Sequence, residues 1–347
     1  MRTITFGQAL NEAVIQEMER DPAVFIYGVG LPDHKRFFGT LQGVLERFGP
    51  ERYFDTPISE DAMTGFALGA AINGLRPIHV HIRADFLLLA MNQLGNMIAN
   101  YTYVTAGKLK APLVIRAVIG RGFGQGVQHS KSLHGLVAHI PGLKVILPTT
   151  PRDAKGLLAA AIRDDNPVVM IEHRWLYWAT GEVPEEPYVI PLGEGQVLRP
   201  GTDATIVATS WMNVEAMHAA RILERYGISV EVIDPRTIAP FDESLVVASV
   251  KKTGHCIVAD NDWLSCGFSA EVAARVGEQC FGALKSPVTR IGFQPVPCPT
   301  VRVLEDKFYP NAFDIVTAVT RKLGRPQIDC SGEELYSHEK KFLGPWT

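Results

Sequence analysis

Cysteine pairing is missing from this sequence. Its five cysteines, Cys256, Cys266, Cys280, Cys298 and Cys330, all lie in the second half and form no C-x-x-C pair. That argues against a disulfide framework or a zinc site and suits a reducing compartment. Surplus basic charge is missing too. The 34 Lys and Arg against 37 Asp and Glu leave a formal net charge of −3, so no positive field is offered to nucleic acid. No apolar run approaches membrane-spanning length. No repeat with a period of about 20–50 residues and no low-complexity tract is visible. Met1 to Phe6 lead into helix without a signal-peptide pattern. These absences set the expectation of a soluble, cytoplasmic protein with no membrane and no nucleic-acid partner.

What is present is a long alternation of strand and helix. The 347 residues suggest two domains with sizeable cores. Thr5 can cap a helix whose apolar side is Ala9, Leu10, Ala13, Val14 and Met18. Residues 24–27 read as a buried strand, 40–47 as a helix, and 60–73 as a second helix. A strand at 77–82, a long apolar helix at 86–103 and a strand at 112–119 follow, then 143–147, 152–163 and 167–172. Near-continuous apolar strands alternating with helices predict an α/β fold, a parallel sheet covered on both faces. A second alternation starts at 204, with helices at about 213–225, 243–251, 267–280 and 312–323. The expected organisation is a first domain over 1–185, a turn-rich linker over 186–203, a smaller α/β domain over 204–324 and an appended polar tail over 325–347.

The stretch Thr56-Pro57-Ile58-Ser59-Glu60 stands out. Pro57 and Ser59 mark a helix start, and Met63, Phe66, Ala67 and Ala70 give it an apolar face. Glu60 heads a helix that otherwise reads as core; a helix dipole alone accounts for many such acids, and spacing does not separate that reading from a site. The loop Gly120-Arg121-Gly122-Phe123-Gly124-Gln125-Gly126 lacks the dinucleotide spacing, and Gly107-Lys108 is followed by Leu109, so no P-loop exists. The loop does leave a strand at the edge where open α/β sheets bind ligands, and it delivers Gln128-His129-Ser130. His79 and His81 share one face of a strand, as metal ligands would, but no acid or thiol is placed to complete a set, and packing is the simpler account.

Several runs together carry a resemblance. They are Asp55-Thr56-Pro57-Ile58-Ser59-Glu60, Gly74-Leu75-Arg76-Pro77-Ile78, Gln128-His129-Ser130 and His139-Ile140-Pro141-Gly142-Leu143-Lys144-Val145, then Asp153-Ala154-Lys155-Gly156-Leu157-Leu158, Arg163-Asp164-Asp165-Asn166-Pro167-Val168-Val169 and Glu231-Val232-Ile233-Asp234-Pro235-Arg236-Thr237-Ile238. Over about residues 3–324 the chain resembles the beta subunit of the thiamine-diphosphate-dependent 2-oxo acid dehydrogenases, of the pyruvate, branched-chain and acetoin types. The resemblance implies a pyrimidine-binding domain followed by a transketolase-type C-terminal domain. It also implies a cofactor shared with an alpha subunit that holds the diphosphate through Mg²⁺ by a Gly-Asp-Gly stretch, which this sequence lacks. Two alpha and two beta chains are the implied assembly. The implied reaction decarboxylates a 2-oxo acid and passes the acyl group to a lipoyl acyltransferase. A two-chain carboligase or transketolase-like enzyme acting on a ketose-like substrate, with no lipoyl partner, is the alternative.

Residue by residue, Glu60 matches the glutamate that bonds a pyrimidine ring nitrogen, favouring the imino tautomer whose nitrogen takes the proton from the thiazolium carbon. Phe86 matches the aromatic packed on that ring, and Ile58 and Ile82 its apolar neighbours, which are expected to keep the carboxyl dry. His129 matches the histidine near the reacting carbon. Leu113, Ala161, Ile162, Asp164 and Asn166 match positions that bind a structural monovalent cation, K⁺, in some members. The chain departs from the pattern at His79-Val80-His81-Ile82-Arg83-Ala84-Asp85, more polar than expected, where Arg83 and Asp85 point to a polar substrate or an altered subunit contact. It departs again at Ala259-Asp260-Asn261-Asp262, where many members carry a His-Glu pair, and in its tail.

Overall fold

A computed structural model describes residues 1–33, 36–122, 124–336 and 340–346. Phe123 of the glycine-rich loop and part of the expected tail lie outside the described residues. The larger sheet has seven strands, in the order Thr237–Ala239, Lys144–Ile146, Val168–His173, Val114–Ile119, Arg76–His81, Val24–Gly28 and Tyr53–Phe54. All neighbours run parallel except the first pair, where Thr237–Ala239 reaches over from the second half of the chain. Every residue of the central strand Val114–Ile119 is buried, as a strand covered on both faces requires.

Two helices close one face. Phe6–Arg20 starts at a capping box in which Thr5 and Gln8 satisfy each other's backbone, and it packs on Pro151–Arg163, which begins with its own Thr150–Asp153 box and a proline in its first turn. The other face is covered by the helix Glu60–Ile72 and by residues 84–104. That second segment is not the single α-helix expected over 86–103. It winds as a 3₁₀ stretch Ala84–Ala90, a π stretch Asn92–Ile98 and an α-helical turn Ala99–Val104. Leu87, Ala90, Leu94 and Ile98 are all buried along this segment, a spacing that reads as one helical face and hides the change in pitch from the sequence.

A five-stranded sheet follows, in the order Thr289–Phe293, Cys256–Trp263, Ala204–Ala208, Val230–Asp234 and Gln196–Arg199. Its last member is an antiparallel edge strand inside the stretch expected to be linker. Helices Trp211–Glu224, Glu243–Thr253, Phe268–Cys280 and Ala312–Lys322 fall close to the expected ranges. A third, small sheet joins Arg2–Thr5, Ala179–Val183 and Phe342–Leu343. Through it the tail reaches both halves of the chain: Phe342 sits edge-on to Trp211 at 5.8 Å, and Arg221 donates to the Pro345 carbonyl at 3.0 Å. No helix among the described residues is long and apolar enough to cross a membrane.

Candidate active site

The C-terminal ends of the parallel strands meet at one edge, and three of them build a pocket. After Tyr53–Phe54 the chain turns at Asp55, whose carboxylate accepts from the backbone N–H of Gly30 at 2.7 Å and of Thr56 at 2.8 Å. This ties the exits of two neighbouring strands together. Thr56 to Ser59 then lead into the helix that starts at Glu60, where the free N–H groups of the first turn favour a carboxylate. The next strand, Arg76–His81, continues into Ile82 and Phe86. Close approach is built in at Gly28: a Cβ there would lie 2.5 Å from the Val80 carbonyl.

The result is a cavity of about 310 Å³ lined by Ile58, Glu60, Met63, His79, Ile82 and Phe86 among others. The four residues matched to the pyrimidine ring, Ile58, Glu60, Ile82 and Phe86, all lie on its wall. Glu60 is half-buried, and its carboxylate has no hydrogen-bond or ion-pair partner among the described residues. His129 is not part of the wall; its ring meets Phe86 edge-on, with centroids 5.4 Å apart. Ile58 is 80 % exposed, so within this chain it does not keep the carboxyl dry as expected. Pro57, Ile58 and Ser59 are all exposed, so among the described residues nothing packs over that rim and the pocket is open on that side.

His79 and His81 are buried wall residues. The His79 ring stacks on Tyr27 at 4.6 Å and meets His81 at 4.4 Å, and His81 Nε2 lies 3.4 Å from Thr64 Oγ1. Burial pulls the His79 imidazole down to about 4 and that of His81 well below its ordinary value, so both are neutral near pH 7. Neither nitrogen of His79 makes a well-aligned hydrogen bond. No thiol or carboxylate completes a metal set around them; among the described residues the one group with such spacing is His134, Asp260 and Asp262. Sequence reasoning gave His79 and His81 no place in the pocket, because strand alternation sets them on the face opposite Val80 and Ile82, and only the fold brings all four to its wall.

The departure at Asp260 has a partner that sequence reasoning missed. His134 Nε2 lies 3.0 Å from Asp260 and 3.7 Å from Asp262, all three buried where the two halves of the chain meet. Burial opposes the imidazolium, but the two carboxylates overcome it and raise His134 to about 9.

The five residues matched to a monovalent cation gather elsewhere, at the opposite edge of the sheet. Asp164 accepts from the Asn166 backbone at 2.8 Å and side chain at 3.0 Å, and it pairs with Lys144. The carbonyls of Ile162 and Asp164 accept from Arg76 Nη1 at 3.0 and 3.1 Å. Those of Leu113 and Ala161 accept from the backbone N–H of Val168 at 3.0 Å and of Asp164 at 3.3 Å.

Two α/β units in series, with an apolar pocket holding one bare acid at the sheet edge of the first, define a class: transketolase-like proteins. Residues 2–178 match the family described as transketolase, pyrimidine binding domain, and residues 193–315 match the transketolase C-terminal domain. The fold is similar to that of a split-gene transketolase, described as an inactive beta4 tetramer, at a TM-score of 0.75 and 24 % identity over 92 % of this chain and 98 % of that one. Similarity in sequence is greater to the beta subunit of acetoin:2,6-dichlorophenolindophenol oxidoreductase of Cupriavidus necator, 40 % identical over 93 % of this chain and 98 % of the relative. The mitochondrial pyruvate dehydrogenase E1 subunit beta-2 of Oryza sativa is 39 % identical over 92 % of this chain and 86 % of the relative. The chain belongs to the beta-subunit family of the thiamine-diphosphate-dependent 2-oxo acid dehydrogenases.

Proposed function

We propose that this chain is the beta subunit of a heteromeric 2-oxo acid dehydrogenase, that its cavity takes the pyrimidine ring of thiamine diphosphate, and that an alpha subunit closes the open rim. One observation carries the reading: an unpartnered carboxylate, Glu60, shares a cavity of ring-sized volume with the apolar Ile82 and Phe86. A flat heterocycle with a basic ring nitrogen fits a wall of one carboxylate among apolar side chains. Held there, thiamine diphosphate would supply the nucleophilic carbon that the chemistry of a 2-oxo acid needs. Glu60 then shares a proton with the pyrimidine nitrogen and sets its protonation state. Phe86 and Ile82 hold the ring by packing, and the exposed apolar Ile58 forms the face that a partner would cover. This reading gives His129, whose ring meets Phe86 edge-on, the role of stabilising a charged group on the reacting side or passing a proton.

The same reading gives the diphosphate and Mg²⁺ to the alpha chain, with two copies of each chain in the assembly and a lipoyl acyltransferase as acyl acceptor in the cytoplasm. It also gives K⁺ to the Leu113, Ala161, Ile162, Asp164 and Asn166 cluster, where each carbonyl accepting one hydrogen bond keeps a second lone pair. The test is purification of the chain from its own cells with every co-purifying protein identified. A partner with the Gly-Asp-Gly stretch plus a lipoyl acyltransferase is the expected outcome. The same partner without a lipoyl protein would favour the carboligase alternative. Neither partner, together with no response to added thiamine diphosphate, would overturn the reading.

A further inference from the structure

Arg83 and Asp85, beside the pocket, read in the sequence as signs of a polar substrate or an altered subunit contact. Both turn out to be buried, with 1 % and 6 % of their surface exposed, so neither meets a substrate or another subunit directly. They alternate with the pocket wall. Ile82 and Phe86 face the cavity, while Arg83 and Asp85 reach the loop that carries His129.

Their contacts bracket that histidine. Arg83 Nη1 donates to the Gly120 carbonyl at 2.6 Å, and Nη2 donates to Gln125 Oε1. Asp85 accepts from the Lys131 backbone N–H at 3.3 Å and pairs with Lys131 Nζ at 3.1 Å, while Nζ also donates to the Val127 carbonyl. The loop is thus held at 120 and 125 before His129, and at 131 after it. It needs holding. Gly120, Gly124 and Gly126 all sit at positive φ, and glycine surrenders more backbone freedom on ordering than any other residue.

Charge points the same way. The Arg83 guanidinium makes no ion pair with a carboxylate among the described residues, and Arg174 shares its Gln125 acceptor at 3.5 Å. A buried cation with no carboxylate in direct contact, Asp85 being the acid that acts on it from a distance, is a costly way to fill space that an apolar side chain would fill well. Its hydrogen bonds to the loop are what it gains.

We propose that Arg83 and Asp85 are positioning residues, which lock the His129 loop to the wall of the cofactor cavity so that His129 and Phe86 keep a fixed relation. This rests on the reading of the cavity given above only for its consequence in turnover; the positioning itself is a statement about the free chain.

The test is histidine-selective NMR on the full chain, with the ring signal of His129 identified from His129→Gln, in wild type and in Arg83→Met, Asp85→Ala and Gln125→Ala. Gln125→Ala removes the acceptor from the loop side and leaves the core intact, so it serves if the buried variants fail to fold. The expected result is a His129 signal that moves and broadens in every folded variant while those of His79, His81 and His134 stay in place. A His129 signal unchanged in folded variants would overturn the proposal. In the assembled enzyme, kcat falls by about 100-fold, the scale set by an ångström of misplacement. KM and thiamine diphosphate affinity stay near wild type, and Arg83→Lys recovers part of the loss. Turnover unchanged while the His129 signal moves would support the positioning and overturn the role given to His129. A fall in cofactor affinity that accounts for the whole loss would overturn the positioning role in catalysis.

Discussion

The imidazole of His129 stands edge-on to the ring of Phe86, with centroids 5.4 Å apart and planes at 89°. Phe86 lines the pocket and His129 does not, so the aromatic ring is the shared wall between the cavity and the loop. Edge-to-face pairs of this kind contribute about 0.5–1.5 kcal/mol beyond burial. Phe86→Leu keeps an apolar wall and loses that geometry. It should weaken thiamine diphosphate binding by no more than about tenfold, the equivalent of 1.4 kcal/mol, and depress later steps more. Isothermal titration of the assembled enzyme against single-turnover rates separates the two effects. Equal losses in both would mean that Phe86 serves the cofactor alone.

Glu60→Gln tests the carboxyl. The amide keeps the shape and the helix start but cannot exchange a proton with a ring nitrogen. Binding should survive, whereas hydrogen–deuterium exchange at the thiazolium carbon of the bound cofactor should slow by at least about 100-fold, the lower end of what general acid–base catalysis supplies. Exchange at the wild-type rate in a saturated, assembled Glu60→Gln enzyme would sink the assignment. The helix dipole, the plainer account of an acid at this position, predicts no change in exchange at all.

The pocket residues Ile58, Glu60, Ile82 and Phe86 were legible through the resemblance and not from periodicity, and the fold shows why they come together. Glu60 follows one strand exit, Ile82 and Phe86 follow the next, and parallel pairing with the strand Val24–Gly28 between them makes such exits neighbours. What could not be read is long-range. The pairing of Thr237–Ala239 with Lys144–Ile146, the edge strand Gln196–Arg199 and the return of Phe342–Leu343 to Ala179–Val183 depend on segments far apart in sequence. Periodicity over a dozen residues carries no trace of them. The same holds for Arg83: its type was conspicuous, but only the fold brings Gly120 and Gln125 to it.

The contact between His134 and Asp260 makes stability depend on pH, and the sign follows from the charged state. Burial opposes the imidazolium, Asp260 and Asp262 favour it, and the outcome is a value of about 9 in the folded chain, against about 6.5 unfolded. The stabilisation is therefore present near pH 6.5 and disappears as pH rises through 9, amounting to about 3 kcal/mol at most; burial holds Asp262 up at about 6, so its share fades below that pH. Urea unfolding of wild type and His134→Gln at pH 6.5, 7.5 and 9 should give curves that converge towards the alkaline end. A difference between the two that stays constant across this window would show that His134 is neutral in the fold.

The central strand carries a fully buried ion pair. Arg116 Nε lies 2.5 Å from Glu172 Oε1 and its Nη2 3.0 Å from Oε2, and Tyr177 donates to the same carboxylate at 3.0 Å. Such a pair gives little net stability, because two desolvated ions cost nearly what their attraction returns, yet removing one partner strands the other. Glu172→Gln should therefore lower the unfolding free energy by about 3–5 kcal/mol, whereas the paired change Arg116→Met with Glu172→Leu should recover most of that loss. The strand ends at Ile119, and Gly120 begins the loop that Arg83 holds, so the single variant should also loosen the His129 loop. Chemical denaturation of the three proteins measures the coupling directly. If the paired variant is as unstable as Glu172→Gln, the cost lies in lost packing shape rather than in an uncompensated charge.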